Sequence, residues 1–382
     1  MTHFHQKRGL RSFFGCILAL ALCVSGPSFA SEGDAAVLAG YKKGFYIKSA
    51  DDRFKMAIGQ RVQIRFAHEE IEDGDNENAF SIPRARLGMK GHAFNKDITY
   101  KFQMDLGKGN VALKDFFVDH ALMPGTLHIR AGQWKRPFSR QYITSSGKQS
   151  LVDRAITDKA FGAGRDIGVA IHNKYEKSPG FEYAVGIFNG TGDKPWFQAN
   201  EAKSKFTNVP DHVEPAVVAR MGYNHGGIKG YSEADLEGGG FRFAVAASGA
   251  FFLDTAEDND ARRVLEVDCI TKLHGFTSSG AVYAHYTEGT MDKWGFHSQL
   301  GYVLQKKYQP VVRYAYVAPE GNDNDDHEVA LGFAIYYFGH KLKWQTEVAA
   351  LEHKLPETND AGETIHGQTR DHRFQTQLQL AF

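Results

Sequence analysis

Hydrophobic and polar residues alternate along the first part of the chain. From Phe54 to Phe66 the even positions are mostly apolar, and the odd positions are mostly polar or glycine. A period of two is typical of a β-strand with one apolar and one polar face. The last residues, from Phe374 to Phe382, repeat the pattern.

Comparable segments lie between these two ends and predict about sixteen strands, an even number that is typical of closed bacterial barrels. Most have about the length that crosses a bilayer when the strand is tilted. The predicted strands are 54–66, 82–93, 97–106, 112–122, 127–134, 166–173, 181–188, 215–223, 241–251, 263–273, 276–286, 294–304, 308–316, 327–338, 342–351 and 374–382.

Connections between the predicted strands alternate in length. Short ones lie at 95–96, 123–126, 274–275, 305–307 and 339–341. The intervening ones include the long connections 70–81, 135–165, 189–214, 252–262, 317–326 and 352–372. Bacterial outer-membrane barrels have short periplasmic turns and long outer loops, so this pattern favours an all-β transmembrane antiparallel barrel over a soluble periplasmic protein. The glycine-rich connection 224–240 is an exception, because it is long where a short turn is expected.

The first thirty residues have the pattern of a secretory signal. Three basic residues precede an apolar run at 13–24, and Ser28-Phe29-Ala30 offers the small residues needed for cleavage. We therefore expect a signal peptide at 1–30, an N-terminal periplasmic segment at 31–53 and the barrel at 54–382. No later apolar stretch approaches the roughly 18 residues of a membrane-spanning helix.

Composition adds little until the signal peptide is removed. The 45 basic and 45 acidic residues balance over the whole chain. That balance argues against a nucleic-acid-binding protein. The mature chain loses three bases and becomes slightly acidic, and it keeps only Cys269 because Cys16 and Cys23 lie in the signal peptide. A lone cysteine forms no internal disulfide.

Cations gather on the polar face of the predicted strands and in the connection 135–165. If the apolar face meets lipid, these cations line the lumen, where arginines favour anions and match phosphate oxygens in pairs. The alternative is charge balance against lumenal acids such as Asp105, Asp115, Asp119, Glu266 and Asp268. The candidate wall residues are Lys55, Arg61, Arg65, Arg84, Arg86, Lys90, Arg130 and Arg220. The candidate loop cations are Lys135, Arg136, Arg140, Lys148, Arg154 and Arg165.

Acidic residues gather in other long connections, at 69–77, 254–260 and 320–326. A solvated rim explains them better than a specific calcium site, and we predict no metal site and no cofactor. In the functional alternative, divalent cations bridge these acidic loops to anionic lipopolysaccharide.

A series of short motifs begins with Pro83-Arg84-Ala85-Arg86-Leu87-Gly88-Met89-Lys90-Gly91 and continues with Tyr100-Lys101-Phe102, Gly132-Gln133-Trp134-Lys135-Arg136-Pro137-Phe138, Thr144-Ser145-Ser146, Asp153-Arg154-Ala155 and Gly164-Arg165-Asp166-Ile167-Gly168. In order and spacing this series resembles the phosphate-selective porin O and P family of outer-membrane channels. The resemblance implies a sixteen-stranded homotrimeric porin whose long third loop folds into the lumen and narrows it. The connection 135–165 takes the place of that loop, so Ser145 and Ser146 join its cations as constriction candidates. A departure from the family pattern stands at Pro83, where a second arginine is common.

An enzymatic alternative is a barrel hydrolase with a serine and a histidine on the outer wall. The chain contains neither a Gly-x-Ser-x-Gly nor a His-Glu-x-x-His motif. His120, His285 and His297 fall within predicted strands and are interpreted as wall residues. We therefore predict a channel rather than an enzyme.

The sequence as a whole predicts an outer-membrane porin of a Gram-negative bacterium that passes small anions, with phosphate or polyphosphate as candidates. A weakly selective general diffusion porin is the first alternative and the barrel hydrolase is the second. Expected partners are the small anions, outer-membrane lipid and lipopolysaccharide, and the barrel-assembly machinery, which would act on the C-terminal strand ending in Phe382.

Overall fold

The computed structural model describes residues 37–41, 44–72, 75–109, 111–162, 164–190, 215–253, 262–319, 325–358 and 364–382. Within these ranges, eighteen strands form one sheet. The strands are β1 Val37–Tyr41, β2 Phe45–Ser49, β3 Lys55–Glu70, β4 Glu77–His92, β5 Ile98–Asp105, β6 Ala112–Met123, β7 Leu127–Lys135, β8 Arg165–His172, β9 Phe181–Phe188, β10 Ala216–His225, β11 Arg242–Phe252, β12 Arg262–Leu273, β13 Phe276–Thr287, β14 Thr290–Tyr302, β15 Tyr308–Pro319, β16 Asp326–Tyr336, β17 Leu342–Thr358 and β18 Thr364–Ala381.

Sixteen of these described strands, β3 to β18, close into a barrel in which each strand pairs antiparallel with its neighbours along the chain. The last strand completes the circle by pairing with the first, with Gln379 opposite Gln63 and Leu378 opposite Ile64. The predicted all-β antiparallel barrel of about sixteen strands is confirmed.

The two faces of the barrel wall have opposite chemistry. In β18, Gln377 and Gln379 are each only 1% exposed, whereas Leu378 and Leu380 are 44% and 49% exposed. The apolar side chains therefore point outward, and the polar ones point into the barrel. A wall with this inverted pattern is stable only where lipid surrounds the outside, because exposed apolar surface in water is costly.

Short helical elements lie in the connection between β7 and β8. They include α1, Arg140–Ile143, and α2, Ile156–Phe161. Ser139 caps α1 by accepting a hydrogen bond from the backbone N–H of Tyr142. Among the described residues, no helix is long and apolar enough to cross a membrane.

Several strands reach further toward the outer loops than the sequence pattern predicts. The expected loop 352–372 is mostly strand, since β17 continues to Thr358 and β18 begins at Thr364. Likewise β3 extends to Glu70 and β4 begins at Glu77. Beyond the lipid layer both faces of a strand meet water, so the apolar alternation that marks a strand in sequence disappears there although the backbone pairing continues.

A hairpin of β1 and β2 precedes the barrel within the predicted segment 31–53. β2 pairs with the start of β3, with Phe45 opposite Ile58. The chain end lies beside it, because the backbone of Phe382 exchanges two hydrogen bonds with Gln60, at 3.0 and 3.1 Å. The hairpin thus continues the row of partners along β3 where β18 stops.

Some predicted features lie outside the described residues. They are the signal peptide 1–30 with Cys16 and Cys23, and the loop acids Asp73, Asp254, Glu257, Asp258, Asp260, Glu320 and Asp323.

Candidate functional site

The predicted cations of the first two barrel strands lie together on the inner wall. The register places Arg61 opposite Arg86, and Arg84 opposite Gln63. A bulge in the pairing follows Gln63, beside Pro83. A proline that cannot donate to the ladder suits such an irregular position. Lys90 and Lys55 lie further along the same pair of strands, opposite Ala57 and His92.

The connection between β7 and β8, residues 136–164, meets this wall through two serines. Arg61 donates one hydrogen bond to Ser145 Oγ at 2.8 Å and another to Ser146 Oγ at 2.9 Å. Arg86 reaches the same Ser146 Oγ at 3.4 Å. Gly147 permits this approach, because a Cβ at that position would lie 2.4 Å from Arg61 Nη1. The predicted constriction serines and wall arginines are therefore in direct contact.

A second contact between the connection and the wall is an ion pair. Arg65 holds both carboxylate oxygens of Asp153, at 2.8 and 3.0 Å. Burial is the largest single influence and raises the pKa of Asp153, but Arg65, with Arg84 and Arg373, together lower it more, so that the pKa lies well below its usual value. The carboxylate stays ionised at neutral pH and fastens the connection to β3.

Many of the other predicted cations are paired with acids. Such pairs are the charge balance that the sequence left open as an alternative. In each pair the carboxylate neutralises the cation, and the contact stabilises the interior of the barrel. The pairs, with their nitrogen–oxygen distances, are Arg86 with Asp105 at 2.8 Å, Arg130 with Asp119 at 2.9 Å, Arg165 with Asp115 at 2.9 Å, Arg220 with Asp268 at 2.7 Å, Arg140 with Asp268 at 2.5 Å and Arg136 with Asp166 at 3.6 Å.

Two cations of the connection region bind backbone carbonyls at the end of α1. Lys135 Nζ donates to the carbonyls of Ile143 and Thr144 at 3.0 and 3.1 Å, and also to that of Tyr142. Arg154 donates to Gln141 and Thr144 carbonyls at 3.1 and 3.0 Å. Because the last carbonyls of a helix lack partners within the helix, both cations stabilise the shape of the connection.

Arg61 and Arg84 differ from these paired residues. Arg84 donates to the neutral amide oxygen of Gln63 at 3.0 Å, and Arg61 donates to the two serine hydroxyls. Over the described ranges, neither guanidinium forms an ion pair with a carboxylate. Neither charge is therefore balanced by a directly bonded carboxylate.

The sequence did not predict a further part of the wall that contacts the connection, formed by β17, which is separated from β3 only by β18. Lys343 Nζ donates to the carbonyl of Gln149 at 2.6 Å, and Gln345 Nε2 donates to that of Ser150 at 2.7 Å. Glu347 accepts a hydrogen bond from the backbone N–H of Val152 at 2.8 Å. The available signal was the run of polar side chains at every second position of this strand.

Two of the three strand histidines have polar partners. His297 Nδ1 lies 3.1 Å from Thr157 Oγ1, and His285 Nδ1 lies 2.5 Å from an Asp292 oxygen. These contacts agree with the interpretation of both as wall residues. Within the described ranges, no three His, Cys, Asp or Glu side chains come together as a metal site.

Comparisons with known proteins agree with the predicted resemblance. Residues 56–220 match the family described as phosphate-selective porin O and P, which confirms that resemblance over this part of the chain. An uncharacterized protein of Aquifex aeolicus (strain VF5) is 23% identical over 357 residues, covering 82% of this chain and 85% of the relative.

Solved structures share the fold at low sequence identity. An anion-selective porin from Comamonas acidovorans superposes with a TM-score of 0.56 at 12% identity, covering 86% of this chain and 99% of that one. OmpT, an outer membrane protein of Vibrio cholerae in a trimer form, superposes with a TM-score of 0.54 at 13% identity over 86% and 99% of the two chains.

Proposed function

We propose that this outer-membrane porin, whose residues 56–220 match the phosphate-selective porin O and P family, passes small anions past Arg61 and Arg84. The observation that carries the proposal is that these two inner-wall guanidinium groups, among the described residues, form no ion pair with a carboxylate. The solved porin from Comamonas acidovorans, whose fold this chain shares, is described as anion-selective.

The physical basis is the attraction between a fixed cation and a passing anion. At an effective dielectric constant of about 20, a unit anion 4 Å from a guanidinium gains about 4 kcal/mol before the cost of desolvation. A cation at the same place meets an equal repulsion. Two guanidiniums on adjacent strands therefore favour anions while allowing release, since hydroxyl and amide partners still share their donors.

We further propose that the connection 136–164 is the third loop and that it narrows the pore. It contacts β3 through Arg65 and Asp153, and β17 through Gln149 and Lys343. It also contacts β12, because the backbone N–H of Ser139 donates to Glu266 at 2.9 Å. Strands on different sides of a closed wall share one segment only if that segment crosses the interior.

Phosphate is the preferred anion in this proposal. A guanidinium presents parallel donors that match two oxygens of one phosphate, and hydroxyls such as those of Ser145 and Ser146 donate to further oxygens. Chloride can use the positive field but not this geometry. Phosphate should therefore reside longer in the pore than chloride and obstruct its passage.

The test is the selectivity of channels reconstituted in planar bilayers. Wild-type channels should give reversal potentials of anion-selective sign in a salt gradient, and added phosphate should reduce the chloride current. In the double variant Arg61→Gln and Arg84→Gln the anion-to-cation permeability ratio should fall by about an order of magnitude, equivalent to about 1.4 kcal/mol. Phosphate block should weaken in parallel.

Arg263→Gln is the control, because the same Arg-to-Gln change removes one positive charge from an exposed side chain that contacts Tyr286 rather than the inner wall. Its selectivity should equal that of the wild type. If the channel is anion-selective but added phosphate does not reduce its chloride current, the phosphate part of the proposal is refuted. A cation-selective or unselective wild-type channel would leave a general diffusion porin.

The proposal places the protein in the outer membrane as a homotrimer. It would be exported by the signal peptide 1–30, inserted by the barrel-assembly machinery acting on the strand that ends in Phe382, and joined to lipopolysaccharide by divalent cations at its acidic outer loops. The trimeric form recorded for OmpT supports the assembly. Membrane fractionation with and without a chelator tests the location and the lipopolysaccharide contact.

A further inference from the structure

The glycine-rich turn, residues 226–240, joins β10 to β11 at the barrel end that carries Phe382 and the N-terminal hairpin. Its neighbours at that end are much shorter, such as the two-residue turn between β12 and β13. Despite its length, the turn does not project into solvent. Ile228, Tyr231 and Ala234 are only 8%, 8% and 4% exposed, so the turn folds back against the protein.

Polar side chains of the barrel wall bind the backbone and side chains of this turn. Lys272 Nζ of β12 donates to the carbonyls of Lys229, Ser232 and Ala234, at 3.1, 2.6 and 3.2 Å. Three carbonyls converging on one ammonium group satisfy all of its donors. Asp235 in turn receives two hydrogen bonds from Arg242, at 2.8 and 2.9 Å.

The turn touches a wide arc of the inner wall. Tyr231 donates to Glu182 of β9 at 2.8 Å, and Ser232 lies 3.0 Å from His340, just before β17. Ala234 packs in one apolar cluster with Val303 and Tyr336, beyond β14 and on β16. Contacts that run from β9 to the start of β17 place the turn across the chain-end mouth of the barrel.

Glu233 links the turn to the connection 136–164. Its carboxylate accepts a hydrogen bond from the backbone N–H of Ser150 at 2.8 Å, and its own N–H donates to the carbonyl of Lys148 at 3.1 Å. Gln299 of β14 supports the same carboxylate at 3.0 Å. Two segments that enter from opposite ends of the barrel thus meet at one residue.

We propose that the glycine-rich turn is a second constriction, which limits the pore from the chain-end side, and that Glu233 is the positioning residue that couples it to the connection 136–164. The inference rests on the proposed function only in taking the chain to be a conducting channel. A small cavity lies among the two segments and the wall of β12 to β14, with Gln141 of the connection and Glu233 of the turn among its lining residues. Both segments therefore line the same region of the barrel interior.

The first experiment shortens the turn. Deleting residues 228–239 leaves a short loop between β10 and β11, whose flanking residues His225 and Phe243 are paired in the sheet. Single-channel conductance should rise roughly twofold or more, because a narrow passage in series limits the current. The sign of ion selectivity should remain, since Arg61 and Arg84 are untouched. A folded deletion variant with wild-type conductance would overturn the proposal.

Single substitutions decide the case where the deletion does not fold. Glu233→Ala removes the acceptor for Ser150, so we expect a larger, fluctuating conductance. Glu233→Gln keeps an amide oxygen that accepts the same hydrogen bond, and should restore steady wild-type currents. If Glu233→Ala conducts like the wild type, the positioning role is refuted. A wild-type protein that forms no channel would refute the proposed function and this inference together. A conducting but cation-selective wild type would refute only the anion proposal, and the conductance of the variants would still decide this inference.

Discussion

At the scale of single residues, the same side chain has different roles in different surroundings. Arg220 is 1% exposed and donates to Asp268, Ser248 and Tyr231 at 2.7, 2.7 and 3.0 Å. Arg84 has a neutral partner in Gln63. The sequence assigned both to one group of pore cations. It could not separate them, because the acid that neutralises Arg220 lies 48 residues away on β12.

Asp153 gives a pH prediction at this scale. Its pKa is lowered in the folded protein, so its contribution to holding the connection against β3 is complete above the usual aspartate pKa of about 4 and is lost as the pH falls through the lowered value. Asp153→Asn removes the ion pair with Arg65 and should give a larger conductance. The ratio of variant to wild-type conductance should stay constant from pH 7 to about pH 4 and then approach one.

Bilayer recordings across this pH range measure that ratio. Glu352→Gln is a suitable control, because it breaks an exposed ion pair with Arg370 near the outer loops and should leave conductance unchanged. A ratio that already moves between pH 6 and pH 5 would contradict the assignment to Asp153.

At the scale of elements, the strands were predictable and the paths of the long connections were not. Lipid on one side and a polar interior on the other dictate the alternation of each strand, so local sequence is enough to find it. The connection 136–164 instead takes its path from distant partners, such as Lys343 and Glu347 of β17. A polar face of a strand indicates that something polar is contacted, but not which segment provides the contact.

The N-terminal hairpin gives a prediction at this scale. Deleting residues 37–49 exposes the edge of β3 from Lys55 to Ile58, which β2 now covers. Each lost backbone hydrogen bond costs roughly 1 kcal/mol, so the variant should unfold at a lower temperature than the wild type. Conductance should persist, because β18 still closes the barrel. Thermal unfolding followed by circular dichroism measures the change.

Removing only residues 37–41 is the matched control for this deletion. It takes away β1 but leaves β2 on β3, so stability should fall less. Equal losses from the two deletions would show that pairing with β3 is not the source of the effect.

At the scale of the whole molecule, the proposed trimer is the property to measure. In a trimer the subunits share part of their apolar outer surface, which otherwise faces lipid. Chemical crosslinking in native membranes should give a band of three chains. Without crosslinking, an unheated sample should run as a single trimer band in a denaturing gel. Heating should convert it to monomer. If crosslinking gave only monomer bands, this part of the proposal would be contradicted.

The sequence predicts the wall of the barrel better than it predicts the contacts of the segments that lie inside it. The parity of connection lengths predicted the end of the molecule at which each turn lies. The connection 224–240 was predicted to be an exception, and the structure has a long turn there, at 226–240. What that exception does could not be derived, since Lys272 and Glu233 acquire their partners only when the wall has curved into a closed ring.

The closing seam between β3 and β18 sets the order of events in biogenesis. Each hairpin of neighbouring strands can form as soon as it is made, but Arg61 and Ala381, which are paired across the seam, lie more than 300 residues apart. Such distant partners make folding slow, because the chain loses much entropy before they meet. Until the final residues are available for pairing, both edge strands of the sheet expose unpaired backbone groups that can bind other strands. We therefore expect unwanted strand pairing to threaten the whole sheet until β18 reaches β3, rather than any single strand.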